Sequence, residues 1–124
     1  MTIMDALYRI DELKPNSYSQ PEKINWLSSL DGVIKSEIID THEGGEDIVF
    51  SGYTEDADLT TILLVPAPYD DIYLRWLEAQ IDYTNGEYGK YNNSMMAFND
   101  AYTLYQKYYN RTYMPISKQR RFMF

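Results

Sequence analysis

The chain has one histidine, His42, followed closely by Glu43, Glu46 and Asp47. An imidazole with carboxylates can hold a divalent cation when three of them converge from fixed positions. Here they surround Gly44 and Gly45, turn residues that fix no ligand geometry, so the expectation is a solvated helix end and no metal. The neighbouring carboxylates Asp70 and Asp71 could share acid–base work only by facing one point. Consecutive helical positions diverge by about 100°, and at the head of an apolar run the pair reads better as N-terminal capping charge. Nucleophilic catalysis lacks its parts: there is no cysteine, no Gly-x-Ser-x-Gly elbow and no second histidine to activate a serine. The six glycines never take the GxGxxG or GxxxxGK spacing that cradles phosphate. The residue types point away from an enzyme and from any cofactor or metal.

Aromatic side chains are the other chemically distinctive group. Seven of the thirteen tyrosines lie between Tyr88 and Pro115. Tyr88, Tyr91, Met95, Phe98, Tyr102, Tyr105 and Tyr109 recur at alternating intervals of three and four, a helical stripe about 32 Å long. Such a stripe is most simply core. A tyrosine ring with its polar tip also suits an interface that is part dry and part wet. Base stacking would need basic residues between the rings, and only Lys90 precedes Lys107 in this stretch. Asn92 and Asn99, a heptad apart, are either a polar outer face or a register-fixing network.

Charge is strongly segregated within a net of −8. Residues 1–106 carry 6 basic and 19 acidic side chains, whereas 107–124 carry Lys107, Arg111, Lys118, Arg120 and Arg121 and no acid. An acidic body disfavours phosphate backbones, so sequence-specific nucleic-acid binding is not expected. The basic end is either a frayed terminus or a segment suited to the acidic surface of another copy. No apolar run is long enough to cross a membrane. The opening residues do not read as a signal peptide, and a cysteine-free chain fits an intracellular setting.

The elements that must position these groups follow from periodicity. Ile3 to Leu13 has helical spacing, with Thr2 as N-cap and Pro15 ending it. A second helix starts with Ser19 and Glu22 in capping-box spacing and Pro21 in the first turn. It buries Ile24, Leu27, Leu30, Val33, Ile34 and Ile38 and stops at Gly44 and Gly45. Residues 46–66 contain two short β-rich runs around an acidic turn and predict a β-hairpin excursion needing outside support. A third helix follows Pro68, apolar around much of its circumference through Ile72, Tyr73, Trp76, Leu77, Ala79, Ile81 and Tyr83. Asn85 and Gly86 reverse the chain into the tyrosine helix. The expected fold is mainly α: four helices, an αα-hairpin core at 69–111 and a β excursion between helices 2 and 3. It makes one domain over 1–114, with an extended basic tail at 115–124.

Lys14-Pro15-Asn16, Trp26-Leu27 with Leu30-Asp31, Pro68-Tyr69-Asp70-Asp71 and Tyr91-Asn92-Asn93 carry a resemblance that spans nearly the whole chain. It resembles small head-to-tail connector proteins (head completion, or adaptor proteins) of tailed phages and prophages of Gram-positive bacteria. The resemblance implies a structural virion protein, present in the host cytoplasm during assembly. About a dozen copies would form a ring between the portal and a tail-side completion protein, with DNA passing through. Within this reading Tyr102, Tyr105 and Tyr109 belong to a packing seam. Lys118, Arg120, Arg121, Phe122 and Phe124 anchor the tail on a partner. The alternative is a phage-encoded accessory or regulatory protein that binds a single host protein.

Overall fold

The computed structural model describes residues 1–116. Helix α1 spans Ile3–Leu13, α2 Gln20–Ile34, α3 Asp71–Thr84 and α4 Tyr88–Thr112. The protein is mainly helical, with no strand among the described residues.

Each helix begins where its local chemistry permits. The Thr2 hydroxyl accepts from the Asp5 N–H while the Asp5 carboxylate accepts from the Thr2 N–H, a complete capping box. Ser19 caps α2 through the Glu22 N–H. Asp70 and Asp71 stand at the N-cap and first turn of α3, as expected of N-terminal charge, but make no side-chain cap hydrogen bond there. Asp70 instead lies 3.6 Å from the N-terminal amine, and Asp71 pairs with Arg75 one turn on.

The second helix does not run uniformly to the glycines. After Ile34 it widens into one π turn, Lys35–Ile39. That extra residue per turn buries the consecutive side chains Ile38 and Ile39, which a regular helix would splay apart. Val33 was expected on the apolar face but stays exposed. Gly44 then turns at φ 86°, a left-handed conformation suited to glycine. Gly45 folds back so closely that a Cβ there would lie 2.2 Å from the Ile39 carbonyl oxygen.

Helices α3 and α4 form the expected antiparallel hairpin, reversed at Gly86 with φ 77°. Trp76 meets Phe98 at 5.1 Å between ring centroids, and its indole N–H donates to the Trp26 carbonyl at 2.8 Å, tying α2 to the pair. Helix α3 buries Ile72, Tyr73, Leu74, Leu77, Ala79 and Ile81, the broad coverage that a central helix needs. At 25 residues against 14, α4 outlasts its partner. Its C-terminal half packs on Tyr69 and the π turn instead. The aromatic stripe is therefore buried at Phe98, Tyr105 and Tyr109, while Tyr83 and Tyr88, at the two-helix tip, are exposed.

The β-hairpin is corrected by the structure. Residues 48–53 and 61–64 are extended or irregular but do not pair with each other. The α1 end and α2 capture the hydrogen bonds of the second run and that of the Tyr53 N–H. The Ile3 N–H donates to Thr61 O at 3.0 Å and the Met4 N–H to Leu59 O at 2.9 Å. The Leu63 N–H reaches Met1 O at 3.0 Å, and the Tyr53 N–H reaches Ser28 Oγ at 2.9 Å. The single β-like contact of this segment is an isolated antiparallel bridge between Thr2 and Ile62.

Gly45→Ala should lower the urea unfolding midpoint by the equivalent of about 1–3 kcal/mol, because backbone must move to admit the methyl group. Gly89→Ala, where an added Cβ meets nothing within 4 Å, is the control and should not destabilise.

Candidate functional site

Three buried polar clusters, two centred on helices and one on the turn after α2, concentrate the titratable chemistry of the described chain. The first is Asp31, on the inward side of α2 and fully buried. Tyr73 Oη donates to Oδ1 at 2.6 Å, Tyr53 Oη donates to Oδ2, and the Leu64 N–H donates to Oδ2 at 3.2 Å. Tyr73 Oη in turn accepts from the Val65 N–H at 2.7 Å. One carboxylate thus gathers α2, α3 and both ends of the loop. Burial pushes its pKa up, while hydrogen bonds from Tyr53, Tyr73 and Leu64 pull the other way. Both phenols are pushed well above their usual range by burial first and by the adjacent carboxylate second.

The second cluster is Asp82, also fully buried, on α3. Lys14, just past α1, forms an ion pair with Oδ1, and Ser94 Oγ on α4 donates to Oδ2 at 2.7 Å. Close by in sequence, Lys23 is buried with its Nζ 2.7 Å from Asp11 Oδ1 and 3.2 Å from Asn16 Oδ1. The Lys14-Pro15-Asn16 turn is consequently held by charge on both sides.

His42 forms the third and corrects the solvated helix end. It is buried. Nδ1 lies 2.6 Å from Ile38 O, Nε2 lies 2.7 Å from Asn110 Oδ1, and the ring meets Tyr109 edge-on at 4.7 Å. The chain after α4 returns here. His42 and Pro115 form an antiparallel bridge, the Glu43 N–H donates to Met114 O at 2.8 Å, and the Ile116 N–H donates to Thr41 O at 2.9 Å. Pro115 and Ile116, the first residues of the expected extended tail, are paired to the main body. No group of three potential ligands is placed to share a metal ion among the described residues.

The tyrosines expected in the seam divide between two ring groups, Tyr102 with Phe98 and Trp76, and Tyr105 and Tyr109 with Tyr69, Tyr108 and Tyr113. Tyr105 and Tyr109 are buried, and Tyr102 is half-buried against Phe98 at 5.8 Å. Tyr69 stacks on Tyr108 at 4.6 Å, and Tyr113 lies 4.4 Å from Tyr109. Tyr105, Tyr108, Tyr109 and Tyr113 border a small cavity of about 120 Å³ closed on the other side by Ile39, Ile48 and Leu64. Burial pushes the Tyr105 phenol up, with lesser contributions from neighbouring tyrosines. Asn92, Asn93 and Asn99 lie on the exposed face of α4. Lys118, Arg120, Arg121, Phe122 and Phe124 lie outside the described residues.

Two open grooves lie over the loop. One, of about 410 Å³, runs beside the start of α2 between Glu22, Asn25 and Glu55; the other, of about 320 Å³, lies between Val49–Gly52 and Thr61–Ile62. Thr54 and the ring of Tyr53 form the wall they share. The Asp31 carboxylate is sealed behind that ring and makes no opening of its own.

Sequence reasoning gave Asp31 and Asp82 no structural role. Each carried a readable signal: an acid adjoining the apolar positions of a helix, Asp31 after Leu30 and Asp82 between Ile81 and Tyr83. Burial of such a residue demands partners. Which partners answer could not be read, since Tyr53 and Tyr73 are 22 and 42 residues away. Compared with known proteins, the chain matches no family model, no curated protein and no solved structure.

Asp31→Asn should destabilise the protein by about 1–3 kcal/mol near neutral pH, since an amide cannot accept at both former oxygens. The pH dependence has a definite sign. With its folded pKa raised, Asp31 contributes stability that is complete below the unfolded value and lost as pH rises through the folded one. In a plot of urea midpoint against pH, the variant should lose this downward component; an unchanged profile would show that Asp31 does not titrate differently on folding.

Proposed function

We propose that the chain is a structural, non-enzymatic subunit of a phage head-to-tail connector. It self-associates into a ring between the portal and a tail-side completion protein, and DNA passes through the centre. The observation that supports this most is the use made of the residues behind the resemblance. Lys14 binds Asp82, Asn16 binds Lys23, and the Trp26 carbonyl receives Trp76. Asp31 binds two tyrosines, and Tyr69 stacks on Tyr108. Their polar chemistry is consumed in holding a small subunit in one shape, which suits a repeating building block.

Two further features agree with that reading. Large apolar side chains such as Met4, Tyr8, Val49 and Ile62 are exposed on the described surface, where contacts between proteins could cover them. An acidic body would line a passage without gripping DNA by its phosphates. In this reading Lys118, Arg120, Arg121, Phe122 and Phe124 hold the neighbouring subunit or the portal, a heterologous contact of the kind that closes rings.

The test is reconstitution with the cognate portal, viewed by electron microscopy. A ring of subunits on the portal is expected. A chain ending at Ile116 should keep its helical circular dichroism and lose the complex; the cut belongs there because Pro115 and Ile116 are paired with the body. A one-to-one complex with a single host protein, and no ring on the portal, would favour the accessory or regulatory alternative.

A further inference from the structure

The failed hairpin leaves an opening with a defined chemistry. The N–H and C=O groups of Val49, Phe50, Ser51 and Gly52 have no hydrogen-bond partner among the described residues. Across the groove, Thr61 and Leu63 make the bonds to the α1 end of the chain. In an antiparallel bridge the intervening Ile62 then directs its own N–H and C=O away from Thr2, and these too are unpaired among the described residues. Two free backbone edges therefore flank a groove of about 320 Å³. Val49 and Ile62, on its walls, are 89% and 74% exposed. An unpaired edge beside apolar side chains is the template that strand addition uses.

Charge narrows the occupant. Glu46 and Asp47 precede the groove and Glu55, Asp56 and Asp58 follow its first wall, all exposed. A like loop from another copy would bring acid against acid. The chain's own segment 117–124, Ser-Lys-Gln-Arg-Arg-Phe-Met-Phe, has three cations, no acid and two phenylalanines, the complementary composition. Direction favours another copy's segment over the same chain's. At Glu43–Met114 and Thr41–Ile116 the pairing is antiparallel, so the chain reaches Ile116 heading away from Gly44–Ile48, the stretch that leads to its own groove.

We propose that this groove receives residues 117–124 of a second copy, added as an extended strand between Val49–Gly52 and Ile62. The inference rests on the self-assembly reading above and names the acceptor within it.

The cysteine-free sequence makes the test clean. Full-length Ile62→Cys and Phe122→Cys chains are mixed under mild oxidation, with Lys90→Cys, exposed near the helical tip, replacing Ile62→Cys as control. The expected result is disulfide-linked heterodimer in several-fold excess over the control pair, reduced when Arg120→Glu and Arg121→Glu accompany Phe122→Cys. An intramolecular disulfide in the double variant Ile62→Cys/Phe122→Cys at high dilution would overturn the proposal, because the segment would then cover its own groove. No excess of heterodimer, with self-association still seen by sedimentation, would overturn the acceptor and leave the assembly reading standing. Neither heterodimer nor self-association, alone or with portal, would overturn both.

Discussion

A carboxylate without a cation organises the centre of this molecule. Asp31 is fully buried and has no ion-pair partner among the described residues. A buried charge costs several kcal/mol unless hydrogen bonds replace its water. Two phenols and one backbone N–H supply that replacement, and each comes from a different part of the chain. The loop is drawn onto α2 because its donors are needed there. The N–H groups of Thr61, Leu63, Leu64 and Val65 go to Asp58, Met1, Asp31 and Tyr73, so the second β-rich run keeps little beyond Ile62 to offer the first.

Asp82 performs a similar service at the other side of α3, joining the α1 turn to α4 through Lys14 and Ser94. The apolar core provides most of the driving force, but apolar contact alone does not choose one register. Directional bonds at Asp31, Asp82 and His42 select it, at the middle, the hairpin side and the end of the helical stack. Tyrosine suits this arrangement because one residue supplies both ring area and a donor. Tyr73 uses both: its ring is fully buried, and its hydroxyl joins Asp31 to the Val65 N–H.

Helices were legible in the sequence because their determinants are local. Thr2 and Ser19 set starts, Gly44 and Gly86 set turns, and the spacing of apolar residues set the buried faces. The hairpin was misread because β propensity at 48–50 and 60–65 reports only that a segment prefers to be extended. Its partner is decided by distant donors and acceptors. Val33 was misassigned because it lies about 100° round the helix from Ile34, at the edge of the arc that α2 buries. His42 was read as solvated since nothing nearby announces Asn110, 68 residues on. Among the seam residues, Tyr105 and Tyr109 lie buried and Tyr102 half-buried, a gradation that follows from which side of α4 its neighbours cover.

The closing backbone pairs at the far end of α4 set a route for mechanical load. Tension on the chain beyond Ile116 would first strain the Thr41 and Glu43 main-chain bonds, and through them the π turn of α2, before it could unwind the last turn of α4. A pull at the terminus is therefore borne by the helix nearest the core carboxylate, and the long tyrosine helix is shielded from peeling until that clasp gives way.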